Sequence, residues 1–556
     1  MGKGHPKGLY VAFFANMGER FGFYTMMAIL VLFLQAKYGL PAAKAGAIYS
    51  TFYFAIYGLA LVGGIIADAT KKLMLTITVG LIVMFLGYVL MAIPGFGMSV
   101  TLLALGVIAF GNGLFKGNLQ ALVGNLYEYP EYSHLRDRAF NIFYMGINIG
   151  AFFAPSAATG VRNWWLKIHG LGYNANLPQL SHAYLNGTLT GEKLEEFRKL
   201  ADQVSGHAVT DLAAFAHQYI DIFSRGFHMA FGVAAISMVI SLLIYWAFNK
   251  YLKPGDILAR DKDNVVPESM QDISPEETKQ RLLALGAVFV VVIFFWMAFH
   301  QNGLTLTFFA RDYVVEHVGR WSYIFFDLRS FLLLILAIIS IVFVIRKRTK
   351  ILWKIIWAII AVVSLWGVYW IVTHLYTDQM PIEPEKFQHF NPIFIVFLTP
   401  VVVWFFGWLD ARGKEPSTPR KIAIGMFLAS LAYIVLIIPS MHLPAPKVIG
   451  DAGSPERVSE YWLISTYLIL TIAELFLSPM GISFVSKVAP PRLKGSMQGA
   501  WLGATALGNL LLQVGSYFWE KLELWQVWAI FVFVTAAAGL IMIGMLRFLE
   551  RVAGNK

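Results

Sequence analysis

Long apolar runs recur along almost the whole sequence, and they limit the possible folds more than any other feature. A helix that crosses a membrane needs about 20 mostly apolar residues. Only 14% of the 556 residues are charged, so the chain lacks the polar side chains that would coat soluble domains of this length. The sequence therefore predicts an all-α polytopic membrane protein whose solvent is largely lipid.

Fourteen apolar segments are long enough to span a bilayer. They lie at 10–35, 43–67, 72–94, 98–124, 138–160, 225–249, 282–308, 321–345, 351–376, 391–410, 420–441, 460–486, 495–518 and 525–548. Under this count several basic clusters share one side, among them Lys71 with Lys72, Arg136 with Arg138, and Arg412 with Lys414. Loops rich in lysine and arginine face the cytoplasm. We therefore predict a bacterial inner-membrane protein with both termini cytoplasmic.

Two segments interrupt a plain arrangement of twelve spans. Residues 161–224 are polar and predict an external excursion with helices at 191–204 and 211–223, while the spans at 321–345 and 351–376 predict an inserted, peripheral hairpin. The predicted parts are an N-terminal bundle (1–160 and 225–250), the excursion (161–224), a cytoplasmic linker (251–281), a C-terminal bundle (282–310 and 391–556), and the hairpin with its flanking loops (311–390).

The composition argues against several functional classes. A net charge of +11 would suit nucleic acid, but the basic residues form short clusters between apolar runs and no continuous patch. The absence of cysteine rules out disulfides and thiolate metal sites. The sequence contains no nucleophile–base constellation, metal-ligand cluster or pair of carboxylates at catalytic spacing. We therefore expect no enzyme, no cofactor, no metal and no nucleic-acid partner.

Four charged residues lie well inside predicted spans, away from their ends, where an unpaired charge is costly. Glu19 and Arg20 lie about 14 Å into the first span at 1.5 Å per residue, Lys116 lies on the fourth, and Glu474 lies on the twelfth. Their formal charges cancel, and we expect Lys116 to pair with Glu474 across the two bundles. Each pair also has a purely structural alternative. Glu19 and Arg20 could be a local pair that snorkels to the interface, and Lys116 and Glu474 could be a salt bridge that only stabilises the fold.

Aromatic and imidazole side chains accompany these charges. His300 follows Trp296 on the seventh span, and Tyr49, Tyr53 and Tyr57 form a stripe on the second. A lone histidine in an apolar helix is more often a satisfied core residue, but in a wet cavity it titrates near neutral pH. The tyrosine stripe is compatible both with simple packing and with a cavity wall.

At these residues the sequence resembles the proton-coupled oligopeptide transporters, a family of the major facilitator superfamily. The resemblance covers nearly all core helices in the right order, and its main motifs are ERFGFY at 19–24, GNGLFKGN at 111–118, FYMGINIGA at 143–151 and ELFLSPMG at 474–481. It implies two six-helix bundles, extended here by the hairpin to fourteen transmembrane helices. It also implies alternating access to a mid-membrane cavity and import driven by protons.

The resemblance further implies roles for individual residues. The cavity would be lined by Lys116, Tyr24 and Tyr57, the amino group of a peptide would be held by Glu474, Asn148 and Asn391, and side-chain pockets would be shaped by Trp296 and Trp501. A peptide carries one cation and one anion, which agrees with the mixed charges of this set.

The sequence also departs from the family pattern. Met27 and His300 replace an arginine and an acid that usually pair, and Asn16 replaces a glutamate. Losing both partners together leaves no unpaired buried charge. The candidates that remain for proton coupling are Glu19, Arg20, His300 and Glu474. We expect protonated His300 to bind the substrate carboxylate from the external side and to release it after proton loss inside.

The sequence therefore predicts a secondary transporter of di- and tripeptides or peptide-like zwitterions, coupled to protons and embedded in the lipid bilayer. The departures at Asn16, Met27 and His300 favour one alternative, a family member that carries another small anion or zwitterion with weak or no proton coupling. A non-transporting receptor or assembly subunit would not require Lys116 and Glu474 at mid-membrane depth.

Overall fold

The computed structural model describes residues 4–261, 274–346, 349–490 and 493–554. In this part of the chain the α-helices are, in order, α1 (Lys7–Tyr38), α2 (Ala42–Thr70), α3 (Leu73–Ala92), α4 (Met98–Leu126), α5 (Arg136–Ile168), α6 (Leu177–Leu185), α7 (Glu192–Ser205), α8 (Leu212–Ala247), α9 (Lys253–Asp261), α10 (Pro275–Phe299), α11 (Thr305–Asp312), α12 (Leu328–Ile345), α13 (Ile351–His374), α14 (Phe390–Asp410), α15 (Thr418–Ser440), α16 (Pro446–Ile449), α17 (Glu460–Val488), α18 (Lys494–Leu510), α19 (Gln513–Trp519), α20 (Leu524–Gly544) and α21 (Leu546–Val552). A short antiparallel ribbon joins β1 (His317–Val318) to β2 (Met380–Pro381).

Within the described residues, thirteen helical segments are long and apolar enough to cross a membrane. They correspond to thirteen of the fourteen predicted spans. The remaining span, predicted at 495–518, is divided into α18 and α19 by a break at Leu511 and Leu512. The prediction of an all-α polytopic membrane protein is confirmed.

The core helices form two groups. Helices α1–α5 and α8 pack on one another, and α10, α14, α15, α17, α18 and α20 form a second group; we call these the N-bundle and the C-bundle. They meet where α2 lies against α18 and α19 and where α5 lies against α14. The linker predicted at 251–281 begins with α9, which packs on α3 and α4 of the N-bundle, while its residues 262–273 fall outside the described part.

The molecule has two ends along the helix axes. The outer end is where α1 ends and α2 begins, and it is the predicted external side. The inner end is where α2 ends and α3 begins, and it is the predicted cytoplasmic side. These names follow the order of the helices and the positions of the basic clusters.

The polar excursion has different borders from those predicted. Helix α5 continues to Ile168 and α8 begins at Leu212, so the segment between them is 169–211 and not 161–224. At 1.5 Å per residue these helices are about 50 Å long, well beyond the roughly 30 Å of a bilayer core. Their polar ends project from the lipid as helix, which is why polarity alone placed the first border too early and the second too late. The segment contains α7, close to the predicted 191–204, and also α6, which was not predicted.

The inserted hairpin is formed by α12 and α13, which pack mainly on each other. Large apolar side chains cover its outer surface, including Ile345, Trp353 and Trp366. On its inner side Phe331 packs with Phe152 of α5 and Ile393 of α14. The hairpin is therefore attached at the edge of both bundles, with a surface suited to lipid.

Candidate functional site

Two core helices are interrupted at the same depth. Helix α10 ends at Phe299, a 3₁₀ turn covers His300–Gly303, and α11 follows; α18 is interrupted at Leu511 and Leu512 before α19. The side chain of Gln301 joins the two breaks, since its Nε2 donates to the carbonyl oxygen of Leu512 at 3.0 Å. Backbone groups freed inside a membrane need such partners. The breaks thus bring polar groups from α10 and α18 into the core.

Glu19 and Arg20 form a buried pair within α1. Arg20 donates from Nε and Nη2 to the two carboxylate oxygens of Glu19, at 2.5 and 2.6 Å. Glu19 accepts a third hydrogen bond from Asn112 Nδ2 at 2.9 Å, and the Arg20 guanidinium lies 4.6 Å from the ring centre of Phe23. Neither charged side chain is accessible enough to snorkel, since their exposed fractions are 0% and 3%. Asn112 is a member of this group that the sequence prediction did not include.

Lys116 does not pair with Glu474 in this conformation, contrary to the sequence prediction. Its Nζ lies over the ring of Tyr57, 3.9 Å from the centroid. Tyr57 also lies within electrostatic range of Glu474, and so does Tyr24. The cation and the anion therefore lie near the same Tyr57, from opposite bundles, without meeting. The expected contact fails because the aromatic face and the polar groups of the C-bundle already provide each charge with a partner.

Glu474 lies in a polar group formed by α14 and α17. Asn391 Nδ2 donates to Glu474 Oε2 at 3.0 Å and to Thr471 Oγ1 at 3.1 Å. Asn148, predicted to act with these residues, instead donates to the carbonyl oxygen of Tyr144 on its own helix at 3.2 Å. The structure thus joins Asn391 to Glu474 and brings Thr471 into the same polar group. Asn148 is not part of this group, since it bonds to its own helix α5.

His300 lies inside the protein and crosses the bundle interface. Its ring is stacked on Trp296 at 4.8 Å and packs at 4.6 Å against Tyr53 of the N-bundle. Its Nδ1 lies 2.5 Å from Oδ1 of buried Asn509; an amide oxygen only accepts, so Nδ1 carries a hydrogen and donates. If the ring is neutral, Nε2 is then its acceptor nitrogen. Asn509 was missed by sequence reasoning, although an asparagine in an apolar helix was a usable signal.

Trp501 is packed against α17 through a glycine. A Cβ on Gly481 would lie 1.9 Å from the indole Cη2, so only glycine permits this approach. The indole also contacts Phe289 of α10 at 6.4 Å between ring centres. Trp296 and Trp501 are both buried and lie on different helices of the C-bundle. This placement is compatible with two separate walls of a side-chain pocket.

Comparisons with known proteins agree on one family. The family model described as the POT family matches residues 74–273 and 341–524, which is more than half of the chain. The chain belongs to the POT family. As a member it is a membrane transporter and not an enzyme.

Similar sequences and solved structures match this chain over nearly its whole length. A peptide transporter of Yersinia enterocolitica is 27% identical and the dipeptide and tripeptide permease A of Escherichia coli is 25% identical; each match covers 91% of this chain and 86% or 83% of the relative. A solved peptide transporter structure with sulfate is 22% identical with a TM-score of 0.67, and a POT family transporter with 5-aminolevulinic acid is 21% identical with a TM-score of 0.65. They cover 99% of this chain and 96% or 98% of theirs. These structures confirm the predicted two-bundle fold.

Proposed function

We propose that this POT family protein imports di- and tripeptides, or peptide-like zwitterions, by alternating access coupled to protons. The observation that carries the proposal is the placement of Lys116 and Glu474. They come from opposite bundles, interact with the same Tyr57, and do not pair with each other. A zwitterion can therefore place its carboxylate at Lys116 and its amino group at Glu474.

The polar neighbours of Glu474 fit an ammonium group. One carboxylate oxygen of Glu474 already accepts from Asn391, which holds the carboxylate in place, and Thr471 and Asn391 offer further oxygens nearby. Buried Trp296 and Trp501 are suited to substrate side chains of different sizes. We propose that Asn148 joins this group only when the bundles move, since it now bonds to its own helix.

The two bundles are joined by hydrogen bonds at the outer end. Gln35 of α1 accepts from Arg311 of α11 at 2.8 Å, and Glu520 accepts from the Ala42 amide at 3.1 Å. We propose that this end faces the outside of a bacterial inner membrane, with both termini cytoplasmic. Import would then carry substrate from the outer end to the inner end.

His300 is the residue that we propose to link protons to transport. It contacts Tyr53 across the bundle interface, it is held by Asn509, and it lies near enough to Lys116 for the two positive charges to repel when the ring is protonated, until a substrate carboxylate binds between them. Protonation would add a second cation beside Lys116, which favours a substrate carboxylate. Glu19 and Arg20 neutralise each other through direct hydrogen bonds and serve here as a fixed pair.

The alternative is transport of another small zwitterion or anion with weak proton coupling. It is favoured by Met27, which is buried in the apolar core of α1 where the family resemblance implies a cation. The deciding experiment is uptake into proteoliposomes of labelled dipeptides, tripeptides and 5-aminolevulinic acid, each with and without an imposed pH gradient. Peptide uptake that rises with the gradient supports the proposal. Uptake of the non-peptide alone, or no response to the gradient, favours the alternative.

A further inference from the structure

A second buried cluster of charges lies outside the substrate site, at the outer end. Arg162 of α5 forms an ion pair with Glu385, which precedes α14, and both side chains are fully buried. Neighbouring Asn163 donates from Nδ2 to Glu383 Oε1 at 2.6 Å, and Glu383 is also paired with Lys386 at 2.8 Å. We call these five residues the outer cluster.

The outer cluster joins the two halves of the transporter. Arg162 and Asn163 belong to the N-bundle, while the three charged residues 383–386 lie in the segment that leads from the inserted hairpin into the C-bundle. This ion pair therefore cannot persist when the bundles separate at the outer end. Separating a buried ion pair costs far more free energy than separating an exposed one, because each buried charge is left without compensation.

The surroundings of Arg162 are built to hold its charge in one place. The guanidinium stacks on Tyr173 at 4.0 Å and lies near Phe223 and Phe227 of α8. The helix α8 approaches closely here, since a Cβ on Gly226 would lie 2.9 Å from Arg162 Cγ. The arginine is therefore fixed to the N-bundle, and Glu385 is the group that can leave.

The Glu385 carboxylate has unused capacity on its other oxygen. Its Oε2 is buried without a hydrogen-bond partner in the described part of the chain. It borders a small cavity that is also lined by Arg162, Tyr173, Gln35 and Arg311. Water entering this cavity could solvate the separated charges, so the cavity provides a route by which the pair can open without leaving bare ions in lipid.

We propose that Arg162 and Glu385, with Asn163 and Glu383, form the outer gate of this transporter. The gate holds the outer end closed in the conformation described here, and it separates when substrate enters from outside. This inference rests on the proposed alternating access, but it concerns a different site and does not depend on which solute is carried.

The first test measures distances in the closed and open states. The chain contains no cysteine, so spin labels can be attached without removing native residues. One cysteine pair replaces exposed Arg225 and Val448 at the outer end, and a second replaces exposed Ile65 and Val403 towards the inner end.

Arg162→Gln and Glu385→Gln should each populate a longer outer distance, with a change in the closed-to-open ratio of about tenfold or more. Arg320→Gln is the control, because it removes an exposed ion pair with Asp378 inside the inserted segment and should leave the ratio unchanged. Folded single variants that keep the wild-type outer distances would overturn the proposal, as would an equal shift in the control.

A second test locks the outer end and keeps the Arg162–Glu385 ion pair. Cysteines in place of Asn163 and Glu383 are joined by a short cleavable thiol crosslinker. Crosslinking should stop uptake into proteoliposomes and cleavage should restore it, while substrate still binds from the inner end. Continued uptake with the crosslink in place would refute the gate. If the uncrosslinked protein carries no peptide either, the proposed substrate is wrong, and the distance measurements still decide whether the gate exists.

Discussion

Lys116→Gln should weaken substrate binding strongly while changing the stability of the protein little. Lys116 has a cation–π contact with Tyr57, and among the residues that the structure describes it has no carboxylate within ion-pair distance. Removing its charge therefore leaves no buried anion without a partner. A cation–π contact contributes about 0.5–2 kcal/mol, which bounds the expected loss in the free energy of unfolding.

Arg20→Gln provides the comparison inside the same bundle. Arg20 makes two hydrogen bonds to the buried carboxylate of Glu19, and its loss leaves Glu19 with Asn112 as its hydrogen-bond donor and without an ion-pair partner among the described residues. Breaking a buried pair in this way costs about 3–5 kcal/mol. The structure therefore predicts a clear order of stability, with Lys116→Gln close to the wild type and Arg20→Gln well below it.

The effect on binding should be the reverse. A hydrogen bond to a charged group contributes about 1.5–3 kcal/mol, so losing the Lys116 contact to a substrate carboxylate should weaken affinity about 10- to 150-fold. Lys44→Gln, which removes an exposed charge from α2, serves as the control. The assays are dipeptide binding and thermal unfolding in the same detergent. The reasoning fails if Lys116→Gln destabilises the protein as much as Arg20→Gln, or if its affinity is unchanged.

Three further predictions concern other parts of the molecule. His300→Gln should flatten the rise of uptake with external acidity while preserving counterflow exchange; full pH dependence in the variant would exclude His300 as the proton carrier. Gly481→Ala should shift the preference between dipeptides with large and small side chains, because its Cβ would displace Trp501, whereas Gly503→Ala meets no atom within 4 Å and should not. Replacing 171–209 by a short linker should lower the apparent melting temperature without changing substrate affinity, and a selective loss of binding would contradict this.

The excursion is connected to both halves of the transporter. Asn176 in this segment donates at 3.1 Å to Oδ1 of Asp312 on α11, which follows α10 of the C-bundle, so the excursion touches both halves of the transporter. Its removal should therefore loosen the outer end. The borders must also lie between Ile168 and Leu212, because a deletion based on polarity would cut into α5 and α8.

The sequence by itself determined the fold class, because apolar runs of about 20 residues have few alternatives to membrane-spanning helices. It also determined which side chains are unusual. Charged residues are so rare inside spans that Glu19, Arg20, Lys116 and Glu474 stood out without any structure. The motif order was sufficient to indicate the POT family, which the family match confirmed.

Only the tertiary structure decided which of these residues meet. Helical periodicity places a side chain on a face of its own helix, but it does not state which helix lies opposite or how the two bundles are tilted. Lys116 was therefore assigned to Glu474 although it contacts Tyr57, and Asn509 and Thr471 were missed because nothing along the chain links them to His300 or Asn391. The ion pair of Arg162 with Glu385 joins residues 223 positions apart, and such a contact exists only because the two bundles close on each other.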